Sequence, residues 1–462
     1  MMNKELQCFT AYDVRGILGD QFNTEICYSI GRAFASVLNA KTIVVGRDSR
    51  ASSSSLLKSF AQGLIQQGVK VLDIGLAGTE EMYWATSHFE ACGGVEVTAS
   101  HNPINYNGLK MVKERSQPLD PNNEFLKIKQ LAEKGDFALV AKKGIIIDVS
   151  PEAKKAYVRK VLSFIDEKNL GPLKISVNSG NGTAGPTLDL IIQELSKGCQ
   201  NISFEKIHHV PDSSFPNGIP NPLLSENHAV NKKMVLENNS NLGIAFDGDF
   251  DRCFFFDEKG SFIQGQFVVG LLSEIFLSRY PNSKIAHDPR IIWNIQEIVR
   301  AEGGSAIMSK TGHAFVKQTM RKHNCVYGGE LSAHHYFKDF AYCDSGMIPW
   351  LLIIELMCKK GKKLSDLVNE QRIKFPSSPE LNYKLKDPNL GIRKLKEFYS
   401  SKAVCEYHID GMSLDFEDWR FNVRVSNTEP ILRVNLETKE NLSLLNRKIN
   451  EINTLLKSHK RF

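Results

Sequence analysis

The chain has 462 residues, 42% of them hydrophobic and 24% charged, with a formal net charge of +6. That is the composition of a soluble globular protein long enough for about three domains, with two to four in range. It argues against a nucleic-acid binder, because the only basic cluster is the tail Lys457-Ser458-His459-Lys460-Arg461. It also argues against a membrane protein, because the longest apolar run, Trp350 to Cys358, is short and contains Glu355. The nine cysteines are odd in number and far apart, with no CxxC. They read as reduced thiols, with neither a zinc site nor a disulfide framework. No apolar signal segment follows Met1-Met2-Asn3-Lys4-Glu5, so the cytoplasm is the expected location.

In chain order, Thr10 to Gly16 places a tyrosine and an arginine beside a turn glycine. A helix is predicted from Thr24 to Leu38, and a strand from Thr42 to Val45 that ends at Gly46-Arg47-Asp48-Ser49-Arg50. Ser52 to Ser55 is predicted to cap a helix running to Gln67, with a strand from Val69 to Ile74 after it. Gly94 to Val97 alternates like a short strand and leads into Thr98-Ala99-Ser100-His101-Asn102-Pro103, with Asn107 to Lys110 behind it. Ser100 is therefore expected at the exposed end of a strand, a common place for reactive side chains in α/β folds. Ordinary loop formation is the alternative for this stretch alone. The charged segment Glu114 to Asp148 closes the first unit.

A second βα unit opens with the strand Leu173 to Val177. Gly180 to Gly185 then matches G-x-G-x-x-G, which raises either a dinucleotide site or a tight strand-to-helix turn. Pro186 fits only the first turn of the following helix, and Pro211 to Pro222 is predicted to be a surface loop. Strand-like Leu242 to Phe246 ends in Asp247-Gly248-Asp249-Phe250-Asp251-Arg252. Three carboxylates this close repel one another unless a cation offsets them. Oxygen ligands favour Mg²⁺ over zinc, and a solvated acidic loop is the alternative. An EF-hand is excluded by Arg252 at the glycine position and by strand-like flanks. The Arg252 fork suits a phosphate beside such a metal.

A third βα unit runs from Ser261 to about Asp366 and holds Gly328-Gly329-Glu330-Leu331-Ser332-Ala333-His334-His335. Glu330 and Ser332 project the same way if that backbone is extended, which suits vicinal sugar hydroxyls. The adjacent histidines would face opposite sides, so one is expected to be structural. The last unit contains the predicted strand Phe421 to Val425 and a final helix from Leu442 to Leu456. Between them Arg424 and Arg433 flank Ser426-Asn427-Thr428, a donor-rich turn suited to a dianionic phosphate.

The ordered set of motifs resembles the α-D-phosphohexomutase superfamily nearly end to end, and within it the bacterial phosphomannomutase group. The motifs are Tyr12 to Gly16, Thr98 to Pro103, Asp247 to Arg252, Lys310-Thr311-Gly312-His313, Gly329 to His334 and Arg424 to Pro430. The resemblance implies an α/β fold of four domains in a heart shape around a central cleft. They would be residues 1–150, 151–257, 258–366 and 367–462, the first three alike and the last a smaller α+β domain. It also implies that Ser100 carries a phosphoryl group and that Asp247, Asp249 and Asp251 bind Mg²⁺, with a phosphoserine oxygen at Ser100 as fourth ligand. Glu330 and Ser332 would contact the sugar, and Arg424, Ser426, Asn427, Thr428 and Arg433 the non-reacting phosphate. Tyr12, Arg15, Arg252, Arg290 and His313 would line the cleft; some relatives have lysine where Arg290 stands. Lys110 and His334, with His101 behind them, are the candidates for proton transfer.

The implied reaction interconverts mannose 6-phosphate and mannose 1-phosphate through a hexose 1,6-bisphosphate, which also serves as activator, and supplies GDP-mannose for polysaccharide synthesis. A phosphoglucomutase or dual-specificity enzyme is the alternative within the family. A dinucleotide-dependent oxidoreductase built on Gly180 to Gly185 and an inactive sugar-phosphate binder are the alternatives outside it. A small-molecule phosphosugar is the expected partner, with no nucleic acid and no membrane, and the chain a monomer or homodimer.

Overall fold

The computed structural model describes residues 5–199, 201–425 and 431–457. They fall into two compact units: residues up to Phe262 with His334–Gly361, and Ile263–Ala333 with residues from Lys362 on. No helix among the described residues is long and apolar enough to cross a membrane.

The first unit begins with β1 (Val14–Ile17), α1 (Thr24–Val37), β2 (Thr42–Arg47), α2 (Ser53–Gln66), β3 (Lys70–Leu76), α3 (Thr79–His88), β4 (Gly93–Val97), β5 (Tyr106–Lys113), β6 (Gln117–Pro118), α4 (Glu124–Lys134) and β7 (Ile146–Asp148). The strands form one mixed sheet in the order β1-β5-β4-β2-β3-β7, with β6 on β5. β2 runs parallel to β3 and β4, whereas β5 runs antiparallel to β1 and β4. Asn23 starts α1, its Oδ1 accepting from the Ile26 N–H at 2.9 Å. The apolar stripe Ile26, Ile30, Ala33 and Phe34 then packs with Leu56, Phe60 and Leu64 of α2 in one core. Ser52 makes no side-chain cap on α2; its hydroxyl instead accepts from Asn107 Nδ2 at 2.7 Å.

The same unit continues with α5 (Ser150–Leu162), β8 (Leu173–Asn178), α6 (Ala184–Gly198), β9 (Ile202–Ile207), α7 (His228–Glu237), β10 (Leu242–Phe246), β11 (Cys253–Asp257) and β12 (Phe262–Ile263). β10, β8 and β9 are parallel neighbours, and β11 runs antiparallel to β10. Pro186 lies in the first turn of α6, as its ring requires. The predicted surface loop between Pro211 and Pro222 is partly packed, with Phe215, Pro220 and Pro222 buried.

In the second unit are α8 (Gly265–Arg279), β13 (Lys284–His287), α9 (Trp293–Ala301), β14 (Ser305–Met308), α10 (His313–His323) and β15 (Tyr327–Gly329). β13 pairs in parallel with both β14 and β15. The chain then supplies β16 (His335–Phe337), β17 (Cys343–Asp344) and α11 (Met347–Lys360) to the first unit. The run from Met347 to Met357 is buried all round, which explains the long apolar stretch without a membrane. The second unit ends with α12 (Leu364–Lys374), β18 (Leu381–Lys384), α13 (Pro388–Tyr399), β19 (Cys405–Tyr407), β20 (Met412–Asp415), β21 (Trp419–Val425), β22 (Ile431–Thr438) and α14 (Leu442–Lys457). Here the sheet order is β18-β22-β21-β20-β19, antiparallel throughout, with its own core around Leu395, Phe421, Leu436 and Ile452.

Candidate active site

In the first unit the loop after β4 turns sharply at Ser100, whose φ of 47° is left-handed. The turn is held by local bonds. The Ser100 N–H donates to Thr98 Oγ1 at 2.8 Å, and the Asn102 N–H to the Ala99 carbonyl at 2.8 Å. Arg50 binds the loop from outside, donating to the carbonyls of Pro103 at 2.9 Å, Tyr106 at 3.1 Å, Ser100 at 3.0 Å and Asn102 at 2.6 Å. Arg15 donates to the Thr98 carbonyl. Arg50 is paired in turn with Asp48, 3.4 Å away and equally buried. Sequence reasoning left Arg50 and Asp48 out of the site; the available signal was an Asp-x-Arg directly after a strand. Ser100 was expected at an exposed strand end, yet only 6% of it is accessible, because β10's loop closes over it.

That second loop carries the aspartates. Gly248 and Gly182 let it approach: a Cβ on Gly248 would lie 2.7 Å from the Ser100 carbonyl, and one on Gly182 2.6 Å from the Gly248 carbonyl. The glycine spaces of the G-x-G-x-x-G motif are thus filled by protein. Gly180 faces Pro220, Gly182 faces Gly248 and Gly185 faces the His209 carbonyl, so no pyrophosphate fits and the motif is a structural turn.

Ser100 Oγ donates to Asp247 Oδ2 at 2.9 Å and lies 3.0 Å from His101 Nδ1. The same Asp247 oxygen accepts from Arg252 Nε at 3.0 Å and Nη2 at 2.7 Å. Asp249 Oδ2 accepts from Thr79 Oγ1 at 2.6 Å. The Lys110 ammonium sits 2.8 Å from Asp249 Oδ2 and contacts Asp251 Oδ2 as well. Burial alone would raise both carboxyls. Lys110 more than offsets this at Asp249, which is held well below the usual carboxylate range. At Asp251 burial, with the Asp249 and Asp247 charges, wins over Lys110 and pushes the group up.

Asp247, Asp249 and Asp251 each bring a carboxylate oxygen within 4.8 Å of the others. Oδ1 of each is buried without a hydrogen-bond partner. A close group of buried carboxylates, each with an unpartnered oxygen, suits a hard divalent cation such as Mg²⁺, and Lys110 supplies positive charge beside it in this structure. His334 Nδ1 lies 2.8 Å from Asp344 Oδ2, and His334, Asp344 and Asp251 form a second close group. Burial would lower the His334 pKa, but the Asp344 hydrogen bond and the Asp251 charge raise it. His335 is fully buried, and burial followed by the His334 charge pushes it down to about 3. His335 is accordingly the structural member of the pair. Tyr12 lies half-buried at the start of β1.

The second unit holds the remaining predicted residues. Arg290 follows β13; its Nη2 lies 2.6 Å from Asp288 Oδ2 and its N–H donates to Asp288 Oδ1 at 3.0 Å. The Glu330–Ala333 segment is a turn, the Ala333 N–H donating to the Glu330 carbonyl at 3.1 Å. The extended backbone considered for Glu330 and Ser332 is therefore replaced by a bend. Glu330 is buried and accepts from the Gly312 N–H at 2.7 Å, which ties it to the loop before His313, while Ser332 stays half-buried. Arg424, next to the last residue of β21, lies directly opposite Arg433 of β22. Buried Glu437 accepts from the Ile292 N–H at 2.7 Å and from Arg420 Nη1 at 3.1 Å, and Arg420 donates to the Arg290 carbonyl at 2.9 Å. This pair fixes the Arg290 loop against β21. Ser426, Asn427 and Thr428 lie outside the described residues.

Profiles of the phosphoglucomutase/phosphomannomutase family match in sequence: α/β/α domain I over residues 6–139, domain II over 155–260, domain III over 264–375 and the C-terminal domain over 380–453. The chain is 50% identical over 455 residues to a protein of Salmonella montevideo named phosphomannomutase, covering 98% of this chain and 99% of that protein. It is 49% identical over 455 residues to a phosphomannomutase of Escherichia coli K12, with 98% and 99% coverage. Among solved structures, a phosphoglucomutase/phosphomannomutase family protein from Burkholderia thailandensis has a TM-score of 0.85 at 29% identity, covering 98% of both chains.

Proposed function

The chain belongs to the phosphoglucomutase/phosphomannomutase family and is a phosphohexomutase, an intramolecular phosphotransferase of the isomerase class, and we propose that it interconverts mannose 6-phosphate and mannose 1-phosphate. The observation that carries this reading is the Ser100 hydroxyl, bonded to Asp247 beside three carboxylates with unpartnered oxygens. The name borne by the relatives at about half identity supports mannose as the sugar.

In this reading Ser100 Oγ carries a phosphoryl group in the resting enzyme. Asp247, Asp249 and Asp251 would hold Mg²⁺, which when bound offsets negative charge on the phosphoryl oxygens. Ser100 hands the phosphoryl group to the substrate's free hydroxyl, giving a hexose 1,6-bisphosphate. The proton of that hydroxyl goes to His334, whose ring Asp344 orients through Nδ1. That proton ends on the serine oxygen as its P–O bond breaks; His101 Nδ1, 3.0 Å from Ser100 Oγ, accepts from Arg252 Nη2 and is kept neutral by burial and the Arg252 charge, so it positions the serine rather than donating to it. Lys110, held charged between two carboxylates, contributes positive charge rather than a proton. The intermediate then gives its other phosphoryl group back to Ser100. Arg252 lies within reach of the phosphoryl group on Ser100. Arg290, Arg424, Arg433 and the Ser426–Thr428 loop bind the non-reacting phosphate. Glu330, Ser332 and His313 bind the sugar, Arg15 stays beside the serine loop through the Thr98 carbonyl, and Tyr12 adds to the substrate contacts. The product would feed GDP-mannose and polysaccharide synthesis.

Mannose and glucose phosphates differ only at C2, so the same machinery would serve a glucose enzyme. Initial rates on mannose 1-phosphate and glucose 1-phosphate, with Mg²⁺ and a trace of glucose 1,6-bisphosphate, decide between them. A preference for mannose 1-phosphate is expected. Equal or glucose-favoured rates would move the assignment to a dual or glucose enzyme, and no turnover of either would overturn it.

A further inference from the structure

Three guanidiniums of the second unit share one carboxylate. Glu380 Oε1 lies 3.4 Å from Arg433 Nη1, and Oε2 lies 3.4 Å from Arg424 Nη2 and 3.7 Å from Arg290 Nη1. Arg424 and Arg433 are directly opposed on antiparallel strands, so they emerge side by side on one face. Nε of all three arginines is buried without a hydrogen-bond partner. Mutual repulsion is evident at Arg424, whose pKa is lowered first by burial and next by the Arg290 charge.

Two carboxylates answer this charge in different ways. Asp288 is fully buried and fixed, accepting from the N–H groups of Arg290 at 3.0 Å and Leu331 at 2.8 Å. Glu380 is held more loosely. Its side chain is 26% exposed, and its contacts of 3.4 to 3.7 Å exceed the roughly 2.7–2.9 Å of a tight charge-assisted bond. The backbone beneath it is anchored: the Ser378 N–H donates to the Leu436 carbonyl at 2.8 Å, and Ser378 Oγ accepts from the Leu436 N–H at 2.9 Å. The carboxylate can therefore leave by side-chain rotation alone. With both in place, the three arginines and two carboxylates sum to one positive charge, and the nearby Glu330 and Asp410 offset it further, leaving too little to match a phosphate dianion.

We propose that Glu380 is a resident anion of the phosphate subsite: it holds the three arginines together in the free enzyme and is displaced by the substrate's non-reacting phosphate. This rests on the reading of Arg290, Arg424 and Arg433 as phosphate-binding residues. Glu380 competes with the ligand, so it weakens binding and eases departure of the intermediate's phosphate from this subsite.

The test is calorimetric titration of inorganic phosphate into wild-type protein, Glu380→Gln, Glu380→Ala and Arg424→Ala at low ionic strength, with thermal unfolding of each. Removing the competing charge should tighten phosphate binding by about threefold to tenfold in both Glu380 variants. An unchanged or weaker affinity in a Glu380 variant that unfolds at the wild-type temperature overturns the proposal. If wild-type protein binds phosphate, Arg424→Ala does not, and the Glu380 variants match wild type, only the role of Glu380 falls. If wild-type protein binds no phosphate, the phosphate subsite itself falls, and the proposal with it.

Discussion

Gly248→Ala places a methyl group where the two reactive loops touch. Its Cβ would lie 2.7 Å from the Ser100 carbonyl, whereas ordinary contact begins near 3.4 Å. The aspartate loop cannot retreat freely, because the Gly248 carbonyl accepts from the Thr183 N–H at 3.1 Å and lies against Gly182. The strain falls on the gap between the loops, which must widen by about 0.7 Å. The Ser100–Asp247 hydrogen bond, 2.9 Å in this structure, is stretched by a similar amount. A displacement of about 1 Å costs on the order of 100-fold in rate, so this one predicts a kcat lowered about twentyfold. Overpacking should also cost roughly 1–3 kcal/mol of stability. Steady-state mutase kinetics and urea unfolding measure the two effects. A folded variant with kcat within about twofold of wild type would refute the reasoning that loop contact sets the reactive geometry.

Asp249→Asn removes a charged oxygen from the carboxylate cluster and one of the two partners of Lys110; the Mg²⁺ concentration for half-maximal rate should rise about tenfold or more, and an unchanged Mg²⁺ dependence contradicts the metal assignment. Asp288→Asn should cost about 3 kcal/mol at pH 7, because it leaves buried Arg290 without its close partner. Burial would raise the Asp288 pKa, but Arg290 more than offsets it and the folded value lies below the ordinary one. The stabilisation is therefore present above about pH 4 and is lost as pH falls through the folded pKa. Urea midpoints of variant and wild type should converge as pH falls below about 4; a constant gap there counts against the pairing.

The two candidate loops stand out in sequence because their residues are close along the chain. Asp247, Asp249 and Asp251 are spaced along five residues, and Ser100 follows a strand of alternating pattern. Helix and strand alternation similarly announced the sheets, and the buried α11 was visible as the apolar run from Trp350. What sequence reasoning missed depends on contacts between distant segments. Arg50 acts on backbone carbonyls some fifty positions away, and Asp344 reaches His334 only because β17 folds back. The G-x-G-x-x-G match misleads, since nothing local shows that Pro220 and Gly248 already occupy its space. Glu330 and Ser332 carry a turn that strand-like spacing does not reveal.

The central claim is that Ser100 carries the transferred phosphoryl group. The direct measurement is peptide mass spectrometry of wild-type protein and Ser100→Ala after incubation with glucose 1,6-bisphosphate and Mg²⁺, with mutase rates measured on the same samples. One phosphoryl group is expected on the wild-type peptide containing Ser100 and none on the variant peptide, with near-complete loss of turnover in the variant. A phosphoryl group on another residue, or near wild-type turnover in Ser100→Ala, would contradict it.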